Sequence, residues 1–193
     1  MRTFIIIALV TIMTVASYNR DNAVAYAKKH WNSPNHKCSG KYTDSNPYSY
    51  FGGEHCSYGS HGGDCANFVS QCLIAGGHSP LNKGACRGYP CGKEEVGARN
   101  LGVCLRDSYG WESTCGKNQK PPKNIAKGDV LIYHSGSCSS YDAHAVLVVS
   151  GGDVPTIACH SNEKYGVKYT YMGSSKPYYQ WLHKKQISLG WFM

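Results

Sequence analysis

The chain has no apolar run long enough to cross a bilayer: the stretch within its first seventeen residues is too short for a span, and no second run is longer. It has no Pro-, Gly- or Ser-rich linker and no internal repeat, which argues against two domains or a repeat array. Acids are scarce: 12 Asp and Glu stand against 20 Lys and Arg, a formal net charge of +8. The lysines are scattered rather than gathered into an arm, and no nucleic-acid recognition motif accompanies them, so nucleic acid is not an expected partner. A basic surface suits an anionic one such as a bacterial wall or acidic glycan, although solubility alone would account for the charge equally well. Nothing in the chain asks for a cofactor.

Met1-Arg2-Thr3 precedes an apolar stretch from Phe4 to Ala16, and Val15-Ala16-Ser17 supplies small residues for cleavage. This layout reads as a secretory signal peptide over residues 1–17, with a secreted mature chain starting near Tyr18; a buried N-terminal helix is the alternative. About 176 residues then remain, with net charge +7 once Arg2 is lost. That is enough for one domain with its own core, expected as a monomer without stable membrane insertion.

Ten cysteines in such a chain imply disulfides. Cys65 stands apart from them. It lies in Gly62-Gly63-Asp64-Cys65-Ala66-Asn67-Phe68-Val69-Ser70-Gln71, and apolar positions follow at Cys65, Phe68, Val69, Cys72 and Leu73. These offsets make one face of an amphipathic helix beginning at Cys65, with Gly76-Gly77 as its stop. A first-turn cysteine feels the positive end of the helix dipole, which favours the thiolate. The bland alternative is one more disulfide partner. If Cys65 is a thiol, parity requires a second unbridged cysteine, and Cys72 on the buried face is the candidate. Cys38, Cys56, Cys86, Cys91, Cys104, Cys115, Cys138 and Cys159 remain for up to four bridges, with Cys38–Cys56 and Cys104–Cys115 as plausible local pairs among 105 connectivities.

Residues 19–31 read as a first helix capped by Asn19 or Asp21. The poorly patterned stretch from 78 to 127 reads as a disulfide-braced insertion. Residues 125–133 read as a turn entering a strand, and further strands are expected at 143–150, 156–161, 168–172 and 178–183, so that helices come first and antiparallel strands follow in an α+β domain. Asp142-Ala143-His144 places a histidine at the start of an apolar strand, where it is either a base for Cys65 or a satisfied edge histidine. A three-residue turn at Gly151-Gly152-Asp153 would set His144 opposite His160, with Asn162 on the same face.

Other residues carry two readings each. Asp64 contacts substrate or caps the helix, and Tyr50 lines a cleft or packs. Trp181, His183 and Trp191 form a sugar platform or core. His36, Cys38, His55 and Cys56 fit no usual zinc spacing, and no metal site is expected.

The run from Gly62 to Leu73, followed by Ala75-Gly76-Gly77, closely resembles the putative amidase domain family, which belongs with the NlpC-like cell-wall peptidases of the papain-like superfamily. Residues 18–27, Tyr50-Phe51-Gly52-Gly53, Gly128-Asp129-Val130, Asp142-Ala143-His144-Ala145-Val146 and residues 178–183 resemble the same family. The resemblance implies a papain-like fold, with Cys65 as nucleophile, His144 as general base and His160 as the residue that orients it. The cysteine-rich insertion and Ala66 depart from the pattern without removing a catalytic atom. The expected activity is that of a secreted cysteine amidase or peptidase acting on amide bonds of bacterial peptidoglycan. The alternatives are a thiol acyltransferase on the same scaffold and a non-enzymatic disulfide-rich effector.

Overall fold

A computed structural model describes residues 17–32, 65–86, 97–160 and 164–185. The first helix, α1 (Arg20–His30), starts where Asn19 caps it, its side chain accepting from the Asn22 backbone N–H at 3.0 Å. The second, α2 (Cys65–Ala75), begins at Cys65, and its residues from Cys65 to Leu73 are all buried. It ends on Gly77 at φ +83°, with the Gly77 N–H on the Ile74 carbonyl and the His78 N–H on the Leu73 carbonyl. This paired 5→2 and 6→1 bonding satisfies carbonyls that the last turn leaves open. Gly76 is required for another reason: a Cβ there would stand 2.6 Å from the Tyr18 ring, where the Asn19 N–H reaches the Gly76 carbonyl. The start of α1 is thus locked to the end of α2.

The stretch read as an insertion is part of the domain. It supplies α3 (Ala98–Val103), a π-helical turn (Cys104–Ser108) and an edge strand β1 (Glu112–Lys117). The remaining strands are β2 (Val130–His134), β3 (Ala143–Ser150), β4 (Thr156–Cys159), β5 (Lys164–Lys168) and β6 (Tyr178–His183). They form an antiparallel six-stranded sheet in the order β1-β6-β2-β3-β4-β5. The expected strand at 168–172 lies earlier, in β5. Residues Tyr169–Met172 instead make a 3₁₀ turn that lays Tyr169 and Tyr171 against the sheet. A Tyr-rich segment can bury its rings from a turn as well as from a strand.

Both faces of the sheet are covered. On one, Val130, Ile132, Ala145, Leu147, Ala158 and Leu182 meet Phe68, Val69, Leu73, Ala23, Ala27 and Leu101 of the helices. On the other, Leu131, Val146, Val148, Ile157 and Trp181 pack with Tyr133, Tyr169, Tyr171 and Tyr179. Trp181 is core, its indole N–H donating to the Gln119 carbonyl at 3.0 Å; Trp191 lies outside the described residues.

Cys86–Cys104 and Cys115–Cys138 are disulfides. The pair Cys104–Cys115 is therefore a wrong expectation: α3 and the π-helical turn carry Cys104 back to the 79–86 loop, while β1 places Cys115 near the β2–β3 loop. Cys159 is a further correction. It is a buried thiol on the tyrosine face, hydrogen-bonded with the Tyr171 hydroxyl at 3.3 Å. Cys38, Cys56 and Cys91 lie outside the described residues.

One buried ionic cluster fastens the end of the domain where α1 begins. Asp129, with no exposed surface, accepts from Arg20 at 2.5 Å, from His183 Nδ1 at 2.8 Å and from the Ala126 N–H at 2.8 Å. Arg20 also donates to the Lys127 and Lys184 carbonyls. Removing one partner strands a buried charge. Arg20→Ala is expected to lower unfolding free energy by about 3 kcal/mol, read from the urea midpoint; a loss below about 1 kcal/mol, the range of surface pairs, would contradict this.

Candidate active site

Cys65 carries a thiol at the first position of α2, 6% exposed. Burial of the α2 face explains its placement: Phe68, Val69, Cys72 and Leu73 go inward, and Cys65 lies on the same stripe. Cys72 is likewise a thiol, fully buried in the helix-side core. The residues before Cys65, with Tyr50 and Asp64, lie outside the described residues, as do Asn162 and the His36, Cys38, His55 and Cys56 group.

His160 follows β4 and is buried on the helix side. Its ring stacks on Phe68 at 4.1 Å between centroids and 19° between planes. Phe68 is one turn along α2 from Cys65. The His160 Nε2–H donates to the His30 carbonyl, at the last residue of α1, over 2.6 Å. That bond makes Nδ1 the basic nitrogen of the neutral ring.

His144 is the second residue of β3 and is 6% exposed, at the same end of the sheet as His160 but on its other face. Ala143, Ala145 and Leu147 join the helix-side core, whereas Val146 and Val148 join the tyrosine side. The His144 ring accordingly lies 6.4 Å from Tyr133 and 6.4 Å from Tyr171. Its Nε2 is buried without a hydrogen-bond partner, so no such bond joins it to Cys65. Burial, with Lys176 nearby, lowers its pKa to about 4 and keeps the imidazole neutral.

The expected facing of His144 and His160 does not occur. The β3–β4 connection spans 151–155, and Ser150 pairs with Thr156; a bulge between Val148 and Ser150 then sets Val148 opposite Ile157 and Leu147 opposite Ala158. Continued, that register puts Ala145 opposite His160. A slip of one residue exchanges faces, and this one sends the two imidazoles to opposite sides.

A third buried histidine passed unnoticed in the sequence. His134 ends β2, opposite Ala143, with Nδ1 3.1 Å from the Ser140 carbonyl and Nε2 3.2 Å from Gln180 Oε1. Gln180 in turn reaches Ser113 on β1. The only sequence signal was a histidine ending the apolar run Val130-Leu131-Ile132-Tyr133. The network stiffens the β2–β3 loop that leads into His144, and Ser135 N–H to the Asp142 carbonyl closes that loop.

The depressed pKa of His144 has a consequence for stability. The unfolded chain, with an ordinary histidine pKa of about 6.5, takes up the proton first as pH falls. Stability is full above pH 6.5 and is lost between there and about pH 4, by up to about 3 kcal/mol. His144→Gln should flatten the fall in urea midpoint between pH 7 and pH 4.5; an unchanged slope would show that His144 is not the group responsible.

No curated protein and no solved structure matches the chain. The family model described as a putative amidase domain matches residues 17–182, and the chain belongs to that family.

Proposed function

We propose that the protein is a secreted thiol amidase of a papain-like, NlpC-like kind, with Cys65 as nucleophile and peptidoglycan amide bonds as substrate. The observation that carries the reading is a cysteine thiol at the first position of a buried helix, in a chain whose family is described as an amidase domain. The Cys65 sulfur attacks the amide carbonyl carbon, a C–S bond forms and the C–N bond breaks as the amine leaves with a proton. Water then cleaves the thioester and restores the thiol. The Cys65 backbone N–H, at the start of α2, would donate to the oxyanion. Residues 1–17 act as the export signal, and the positive surface holds the monomer to anionic wall polymers. No step calls on a cofactor. Tyr50, Asp64 and Asn162 are assigned to substrate contact.

The base is a histidine at this end of the sheet. The family resemblance gives the role to His144, with His160 orienting it, and this requires the His144 ring to reach the helix side from the mouth of β3. A second assignment has a specific observation behind it. His160 already shares the face of Cys65 and has its tautomer set by the His30 carbonyl.

Digestion of purified bacterial sacculi, with mass spectrometry of the released fragments, tests both. Wild type should release fragments whose masses identify the cut amide, and Cys65→Ala should release none. Replacing the base by Ala should lower the rate by at least about 10²-fold, and replacing the orienting histidine by less. Release by Cys65→Ala at the wild-type rate would end the proposal.

A further inference from the structure

The end of the domain remote from Cys65 holds a cluster that amide hydrolysis does not use. His78 follows α2 directly, so the length of that eleven-residue helix, about 16 Å, separates it from Cys65. Four aromatic rings converge there. His78 lies 4.7 Å from Tyr109, 5.8 Å from Trp111 and 6.1 Å from Tyr18, between centroids. The His78 Nδ1–H donates to the Ser79 carbonyl at 2.8 Å, leaving Nε2 as a bare acceptor. That Nε2 and the Trp111 Nε1–H are both buried without hydrogen-bond partners. An unused acceptor and an unused donor side by side are costly unless something supplies the complementary pair.

Positive charge surrounds them. The Lys83 ammonium stands 4.6 Å over the Tyr109 ring and that of Lys184 5.8 Å over Trp111. Among the described residues, the Asp129 carboxylate is already spent on Arg20 and His183. Lys184 is held below its ordinary pKa by burial and by Arg20 and Lys83, and His78 is lowered to about 4 by burial and by the same two lysines. The frame is fixed: Cys86–Cys104 ties the Lys83 loop to the π-helical turn, Ser108 Oγ accepts from the Ala85 N–H and the Tyr109 hydroxyl donates to the Pro80 carbonyl.

We propose that Lys83, Lys184, His78 and Trp111 form a binding site for a phosphate group that carries an O–H, its own or that of an attached polyol. The two ammoniums and the indole N–H meet phosphate oxygens, and the O–H donates to His78 Nε2. The two ammoniums now stand over the Tyr109 and Trp111 rings, so binding would draw both from ring faces onto one anion. Sulfate, which has no O–H at neutral pH, satisfies only part of the set.

The test uses the full secreted chain as Cys65→Ala, so that it stands whether or not Cys65 is the nucleophile. Calorimetric titration at pH 7 and fixed ionic strength compares inorganic phosphate, glycerol 3-phosphate and sulfate. Phosphate should bind more tightly than sulfate, and Lys83→Gln and Lys184→Gln should each weaken it about tenfold. Tighter binding of glycerol 3-phosphate than of phosphate would point to a polyol phosphate polymer as the natural source, and the reverse to the free anion. Equal affinity for phosphate and sulfate, or unaltered phosphate affinity in both lysine variants, would overturn the site.

Discussion

A one-residue irregularity between Val148 and Ser150 decides which side of the sheet each histidine at its far end occupies. Strand side chains alternate strictly, so the pairing of β3 with β4 leaves no intermediate arrangement. With the bulge, Ala145 and Leu147 face the helices and His144 faces the tyrosines. His160, one strand over, is left on the side of α2, where Phe68 stacks on it. The chemistry available to Cys65 is therefore set by sheet register as much as by the helix that carries it.

The helix α2 connects two ends with different characters. At its start is a thiol, with the His160 imidazole stacked on Phe68 one turn along, while the neutral His144 imidazole lies across the sheet. Past its end, Gly76 and Gly77 let the chain turn tightly against Tyr18 and Asn19, and the Asp129 cluster joins α1, β2 and β6. Disulfides add to the anchoring of the α3 region, whose Leu101 and Leu105 already pack in the helix-side core.

Much of this was legible in the residues because local rules and tertiary packing agree. Apolar spacing after Cys65, the glycine pair at 76–77 and the Asn19 cap each specify a helix end by a mechanism that needs no distant partner. Strands β2, β3 and β6 were legible from their Val, Ile, Leu and aromatic content. Register was not. The turn at Gly151-Gly152-Asp153 looked like a three-residue loop, whereas Pro155 and the bulge lengthen and then offset the pairing, and no local composition announces that. Disulfide pairing failed for the same reason: Cys104 and Cys115 are close in sequence, but α3 and β1 take them to different neighbours. Strand β1 itself was missed because Glu-Ser-Thr-Cys-Gly-Lys has little apolar pattern; it is a half-exposed edge held by β6.

The most direct measurement is native alkylation of the secreted protein with iodoacetamide, mapped by peptide mass spectrometry alongside amide hydrolysis. Cys72 and Cys159 have no exposed surface, whereas Cys65 sits at the mouth of its helix. The account predicts that Cys65 is modified first and that activity falls in step with it. Full activity after complete modification of Cys65 would contradict a thiol mechanism at this position.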